Sequence, residues 1–157
     1  MPDATLVFLV RGHPPAELLL GMKNRGFGSG KYNGFGGKVE AGETIENAAA
    51  RELREECGIA VSLDDLMPAA HLEFFFPAQP DWNQVVHVFL AKRWQGEPTE
   101  TREMTPAWFG LAALPYHSMW VDDPYWLPLV LHGEYVEASF TFKADNETVD
   151  TLSIVHR

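Results

Sequence analysis

The chain has 157 residues, 46% of them hydrophobic and 22% charged, which is typical of one globular domain with a core of its own. Its net charge of −10 and its lack of a lysine- or arginine-rich run argue against a long nucleic-acid polymer as partner, although a small nucleotide with its metal is compatible. The only cysteine is Cys57, and neither a signal peptide nor an apolar run of transmembrane length is present, so we expect a cytoplasmic monomer with no membrane association.

The first elements are predicted to be strands. Residues 5–10 form a continuous apolar run typical of a buried strand, and residues 17–22 form a second strand after a turn. The two strands are expected to pair as a hairpin. Residues 23–37 are glycine-rich but lack the Gly-Lys-Ser/Thr ending of a P-loop, so their glycines predict turns that bring the backbone close to a ligand or metal.

A helix follows, with Thr44 as its N-cap and Gly58 as its left-handed terminating residue. Its apolar stripe consists of Ala49, Leu53 and Cys57. Further strands are predicted at residues 71–76, 85–94, 107–110, 135–142 and 148–155, a short extended piece at 60–63, and a second helix at 124–132. This order predicts an α/β protein whose mixed sheet is covered on both faces.

Three glutamates, Glu52, Glu55 and Glu56, lie on one face of the first helix near its C-terminus. Like charges at this spacing repel, and the helix dipole disfavours anions there, so the cluster requires compensation. Hard carboxylate oxygens without a histidine or cysteine pattern suit Mg²⁺, or Mn²⁺, and Mg²⁺ commonly binds together with substrate phosphates. The alternative is a solvated acidic face. Arg51 is predicted to hold one of the glutamates in place.

The spacing of this segment resembles a known signature. Gly37 is followed after five residues by Glu43, and after seven more by residues 51–59. The segment 37–59 is similar to the Nudix box, which marks hydrolases that cleave a diphosphate linked to another group. The resemblance implies one Nudix domain over residues 1–157, with the α/β/α sandwich of that family, a mixed β-sheet between helices.

The flanking segments resemble one branch of this family, the animal-type enzymes that act on oxidised purine nucleoside triphosphates. The similarity is carried by residues 21–59, 86–89, 103–109 and 119–131. It implies Mg²⁺-dependent hydrolysis of 8-oxo-dGTP and 2-hydroxy-dATP to the monophosphate and pyrophosphate. Three alternatives stay open: a Nudix enzyme for a methylated purine triphosphate, a dinucleoside polyphosphate or a capped RNA end; a catalytically silent nucleotide sensor; and a structural acidic module.

The resemblance also implies roles for individual residues. The metal ligands are Gly36 through its carbonyl, Glu52, Glu55, Glu56 and, as a further ligand or base, Glu103. The catalytic residues are Glu56, the favoured base, with Glu52, Glu103 and Lys38. The substrate-binding residues are Lys23, Phe27, Asn33, Phe35, Gly36, Gly37, Lys38, Phe74, Trp120, Asp122 and Asp123.

The residue types agree with a purine site. Phe27, Phe74 and Trp120 are large rings able to sandwich a base. Asp122 and Asp123 are adjacent carboxyls that resist ionising together, so we expect one of the two pKa values to rise and a shared proton that suits either oxidised guanine or oxidised adenine. Four other ring residues are interpreted as structural, with the two tryptophans assigned to the core: Trp108, Trp126, His71 and His87.

Two departures from the relatives concern the pocket. Relatives carry a small hydroxyl residue in the first strand near the sugar and base, and an ungapped match places Phe8 there. The loop at residues 77–84 is longer than expected and is predicted to reshape the mouth of the pocket.

Overall fold

Eight strands form one mixed sheet that lies between two α-helices in the computed structural model, which describes residues 1–157. The strands are β1 (Asp3–Arg11), β2 (Glu17–Lys23), β3 (Tyr32–Asn33), β4 (Met67–Phe75), β5 (Gln84–Ala91), β6 (Met104–Gly110), β7 (Val136–Phe142) and β8 (Val149–His156). The helices are α1 (Ile45–Cys57) and α2 (Asp123–Leu131). The predicted α/β sandwich is therefore confirmed.

The strand order is β3-β2-β1-β5-β4-β7-β8, with β6 also paired to β2. The pairs β1–β5 and β4–β7 are parallel and the others antiparallel, which makes the sheet mixed. The predicted hairpin of β1 and β2 is confirmed, with Leu9 opposite Leu19. Beyond the hairpin, β1 instead meets the end of the glycine-rich segment through bridges from Val7 to Phe35 and from Ala4 to Lys38. That pairing brings the glycines next to the first strand.

Alternate residues of the strands face the two helices. Phe8, Leu72 and Phe140 belong to the core on the α2 side. The α1 side holds Leu9 and the predicted stripe of α1, and these side chains are fully buried. Burial of this stripe from water is the main source of the packing free energy that fixes α1 on the sheet.

The ends of α1 are those predicted. The N–H of Asn47 donates to the Thr44 hydroxyl oxygen at 3.1 Å. Gly58 has φ 78° and its N–H donates to the Arg54 carbonyl oxygen, so the helix ends in a left-handed residue.

Several boundaries differ from the predictions because pairing partners, rather than apolar runs, decide where strands begin. β6 begins at Met104 since its first residues pair with the end of β2 at Lys23. β4 begins at Met67, ahead of an irregularity between Pro68 and Ala70. The predicted extended piece at residues 60–63 makes only one bridge, from Ala60 to Gln95, before a short 3₁₀ turn. Neither α-helix has the length and apolarity needed to cross a bilayer.

Candidate active site

A cavity of about 190 Å³ opens beside β1, between the glycine-rich segment and the start of α2. Its walls include ten of the residues predicted to bind substrate, metal or a proton. They are Lys23, Phe27, Asn33, Gly36, Gly37, Glu56, Phe74, Trp120, Asp122 and Asp123. Residues separated by up to a hundred positions in the sequence therefore meet around one space.

One end of the cavity is aromatic. The rings of Phe27 and Trp120 lie 5.1 Å apart, with 31° between their planes. Phe74 lines the cavity and also stacks on Phe140, with 5.6 Å between centroids, so it serves both pocket and core. Phe75 faces the other side of the sheet, as alternation predicted. Rings with free faces at this end are suited to contact a planar base.

The two aspartates lie at the start of α2 and are almost fully buried. The Trp126 indole N–H donates to Asp122 Oδ2 at 2.9 Å, while Asp123 Oδ2 has no hydrogen-bond partner. Burial raises the pKa of Asp122 to about 6. Burial and then the Asp122 charge raise the pKa of Asp123 well above its ordinary value. Hence the pKa is raised for both residues, where a rise for one was predicted, because burial disfavours the ionisation of both carboxyls together.

Two more polar side chains face this part of the cavity. Asn33 Oδ1 accepts a hydrogen bond from the Gly34 N–H at 2.9 Å, which leaves its NH₂ group as the part able to meet a ligand. The Lys31 ammonium lies 5.3 Å from the centre of the Trp120 ring, in cation–π contact, and its charge acts on Asp123.

At the opposite end, Glu56 is 5% exposed and one of its oxygens accepts the Gly36 N–H at 2.8 Å. Burial raises the pKa of Glu56 to about 7, with Glu52 adding to the effect and Lys23 opposing it. A carboxyl group with a pKa near neutrality is suited to exchange protons with a water molecule. Glu56 is thus the best-placed base among the predicted residues.

Arg51 holds the other two glutamates of the cluster, Glu52 and Glu55, together with Glu43 before the helix. Its guanidinium contacts Glu43 at 2.7 Å, Glu52 at 2.9 Å and Glu55 at 3.3 Å. Hydrogen bonds from Arg51 lower the pKa of Glu43 to about 2, whereas burial raises that of Glu52. Arg51 therefore compensates two glutamates of the cluster and Glu43, rather than the single glutamate predicted. Glu55 is largely solvent-exposed.

Glu103 lies at the end of the loop before β6 and forms an ion pair with Arg25. The hydrogen bond from Arg25 lowers the pKa of Glu103. The Thr101 hydroxyl donates to the Glu56 carbonyl at 2.8 Å, so this loop is tied to the end of α1. Glu103 lies near the glutamates but its carboxylate is engaged elsewhere.

The donor set fits a hard divalent cation. In this conformation no three His, Cys, Asp or Glu side chains converge to hold an ion, because Arg51 and Arg25 occupy several of the carboxylates. However, a Cβ atom added to Gly37 would lie 2.6 Å from the Glu52 carboxylate carbon. The Glu52 carboxylate therefore packs directly against the Gly37 backbone, in the space that a side chain would occupy. Oxygen-only donors beside a bare glycine backbone suit Mg²⁺ or Mn²⁺ better than Zn²⁺.

Gly37→Ala is expected to lower kcat/KM by about tenfold or more without unfolding the protein. The added methyl group must displace the Glu52 carboxylate, and a small misplacement at a reacting centre is costly. Gly110→Ala is the matched control, since a Cβ there meets nothing within 4 Å. Steady-state kinetics and thermal melting of both variants test the expectation. Equal activity of the two variants would contradict it.

Six predicted residues lie outside the cavity walls: the glutamates Glu52, Glu55 and Glu103, and three further residues. Phe35 is fully buried against the α1 side of the sheet, so its ring cannot reach a ligand in the cavity, although its glycine neighbours line it. Phe8 packs edge-on against Trp126 in the α2-side core. Lys38 is not a wall residue, and its carbonyl accepts a hydrogen bond from Arg51. The assignments of Phe35 and Phe8 to substrate are corrected accordingly, and that of Lys38 stays a prediction.

The structure adds residues that sequence reasoning missed. Thr5, three positions before Phe8, is buried in β1, lines the cavity and is the hydroxyl residue of the first strand. A match shifted by three positions would have found it. Trp126 is core, as interpreted, but it also lines the cavity and holds Asp122. Trp108 is partly buried, stacks on Trp94 and packs against the α1-side core, so it lies at the edge of the core.

The sandwich fold, the acidic helix and the adjoining cavity define a nucleotide hydrolase of the Nudix type. Residues 1–130 match the family model described as NUDIX domain, and the chain belongs to the Nudix hydrolase family. It is 45% identical over 154 residues to the oxidized purine nucleoside triphosphate hydrolase of Mus musculus, covering 98% of this chain and 96% of that one. The protein of the same name from Danio rerio is 45% identical, with coverage of 93% and 90%.

Among solved structures, a MutT protein from Bacillus halodurans has the same fold, with a TM-score of 0.82, 23% identity and coverage of 98% and 97%. Nudix hydrolases use a divalent cation and act on small nucleotide substrates. The family and the α/β/α fold implied by residues 37–59 are thereby confirmed.

Proposed function

We propose that this protein hydrolyses oxidised purine nucleoside triphosphates, including 8-oxo-dGTP and 2-hydroxy-dATP, to the monophosphate and pyrophosphate. The observation that carries the proposal is a single cavity with a buried pair of adjacent aspartates among aromatic rings at one end and the buried Glu56 at the other. The relatives named for this activity span nearly the whole chain, which adds support. A cytoplasmic location and a monomeric state stay predictions.

The aromatic end supplies base recognition. Phe27 and Trp120 present ring faces, and stacking of one base on an aromatic side chain contributes roughly 1–3 kcal/mol. Asp122, Asp123 and the Asn33 NH₂ group add donors and acceptors for the edge of the base. An oxidised purine differs from a normal one in the donors and acceptors of that edge, so buried polar partners are suited to discriminate between them.

The acidic end supplies the chemistry. Glu52, Glu55 and Glu56 with the Gly36 carbonyl would hold Mg²⁺, with Glu103 available once it leaves Arg25. When bound, the cation would supply neutralisation of phosphate charge and a lowered pKa for a water molecule. Glu56, buried with one oxygen on the Gly36 N–H, accepts the proton of the attacking water. Lys23 lines the same cavity and neutralises phosphate oxygens.

A pyrophosphate-release screen with Mg²⁺ tests the proposal. The substrates are the four normal deoxynucleoside triphosphates, 8-oxo-dGTP, 2-hydroxy-dATP and a methylated purine triphosphate, and a dinucleoside polyphosphate is followed by its mononucleotide products because its cleavage releases no pyrophosphate. We expect the highest kcat/KM for the two oxidised purines. Binding without pyrophosphate release would identify a sensor, and a preference for another nucleotide would move the protein to a different substrate class within the family.

A further inference from the structure

We propose that Trp82, in the long loop after β4, is a positioning residue that fixes Phe27 across the mouth of the cavity. The inference rests on the proposed function and deepens it, since it concerns how the base is held. Trp82 does not line the cavity, but two residues that it contacts do.

Trp82 joins two walls that are otherwise separate. Its ring lies 4.9 Å from that of Phe27, with 63° between the planes, and 5.7 Å from that of Phe76, with 81° between the planes. Phe27 belongs to the glycine-rich segment, whereas Phe76 directly follows β4 and stacks on Phe142 at 4.6 Å. Edge-to-face contacts of this geometry are favourable for aromatic rings. Trp82 therefore connects a loop residue to the buried core.

Phe27 depends on such a connection. Its side chain is 50% exposed, and its neighbours Gly26 and Gly28 have φ values of 78° and 83°, which glycine adopts without strain. Its other aromatic neighbour is Trp120, which is itself a wall of the cavity. Without Trp82, Phe27 keeps an aromatic contact on one side only. A base would then have to order the ring as it binds, which weakens binding.

The loop that carries Trp82 is itself well held. The N–H of Trp82 donates to the Gln79 carbonyl and that of Asn83 to the Pro80 carbonyl, at 2.9 and 3.0 Å. Asn83 Oδ1 accepts the Phe76 N–H at 2.6 Å, which closes the loop on the end of β4. A ring held in this way loses little conformational entropy when it supports Phe27. The extra length of the loop therefore serves to hold the Trp82 ring against Phe27.

The test compares Trp82→Ala with Trp82→Phe. Loss of the ring contact weakens ground-state and transition-state binding equally, so KM for 8-oxo-dGTP is expected to rise roughly 3- to 10-fold with kcat within about twofold of wild type. Trp82→Phe keeps a ring and is expected to restore most of the loss. Tyr135→Ala is the control, because Tyr135 packs on Arg157 away from the cavity and should leave KM unchanged.

A second measurement separates this inference from the proposed function. Affinity for the monophosphate product, 8-oxo-dGMP, is measured by calorimetry in chelator, where no turnover occurs. Trp82→Ala is expected to raise Kd by the same factor as it raises KM. Asn83→Ala loosens the loop but keeps the Trp82 indole, and it is also expected to raise Kd. Three results would overturn the role of Trp82. They are unchanged KM and Kd in Trp82→Ala, a fall in kcat without a change in KM in that variant, and a KM in Trp82→Phe as high as in Trp82→Ala. A wild-type enzyme that releases no pyrophosphate from oxidised purines would overturn the proposed function instead, while the Kd comparison still tests the contact.

Discussion

Replacing Glu56 with glutamine is expected to lower kcat by about 10²- to 10⁴-fold, the range of contributions made by a general base. Glutamine keeps the shape of the side chain, and its carbonyl oxygen still accepts the Gly36 N–H that Glu56 Oε1 accepts at 2.8 Å. What is lost is the negative charge, and with it both the ability to take up a proton and one carboxylate ligand for the cation. Pyrophosphate release at saturating 8-oxo-dGTP measures the effect, and Glu46→Gln, an exposed glutamate in the first turn of α1, is the control.

Thermal stability distinguishes lost chemistry from a lost fold in this variant. The pKa of Glu56 is raised from 4.5 to about 7, so its protonated form favours folding, and that stability is present below pH 4.5 and lost as pH rises through 7. Glutamine carries no buried charge at any pH. In chelator, the Tm of Glu56→Gln relative to wild type is therefore expected to rise between pH 4.5 and 7. Retained turnover together with a native melting transition would reject Glu56 as the base.

The acidic helix shows what the sequence was able to predict. Local rules fixed both ends of α1, because Thr44 and Gly58 act on backbone groups only a few residues away. The family signature identified Glu56 and its neighbours from spacing alone. The ion pairs were less predictable: Arg51 pairs with four glutamates, whereas one was expected, and Glu103 is paired with Arg25 from a distant loop. Contacts of high sequence separation depend on the whole packed fold.

The cavity shows where sequence reasoning stopped. Phe35 lies between two glycines that line the cavity, yet its ring points to the opposite side of the sheet because Phe35 is paired with Val7 of β1. A one-residue step changes the face of a strand, and no local signal gave the register of this short pairing. Phe8 was chosen by an ungapped match to relatives, whereas Thr5 is the hydroxyl residue of β1 that lines the cavity. Side-chain chemistry was therefore easier to predict than the face on which a side chain lies.

Asp122→Asn and Asp123→Asn are each expected to change the ratio of kcat/KM for 8-oxo-dGTP and 2-hydroxy-dATP by roughly 10- to 100-fold, the worth of one hydrogen bond to a charged group. An ionised carboxylate only accepts hydrogen bonds, whereas a protonated carboxyl also donates one. An amide always has the same donor, its NH₂ group, and the same acceptor, its carbonyl oxygen. The two oxidised bases present different donors and acceptors at their edges. An aspartate pair that moves one proton between its oxygens can therefore bind both bases, whereas an amide at either position favours one of them. Tyr125→Phe on the exposed side of α2 is the control.

The pH dependence of the same ratio separates a shared proton from a purely geometric role of the aspartates. Asp122 takes up a proton as pH falls through about 6, so that its carboxylate is lost as a charged hydrogen-bond acceptor. The Glu56 proton affects both substrates alike and cancels from the ratio. In wild type the ratio should therefore change as pH falls through 6, and in Asp122→Asn it should stay flat. If both variants lowered the two activities in equal proportion at every pH, the carboxyls would support the pocket without choosing the base, and the dual preference would have to come from the aromatic walls.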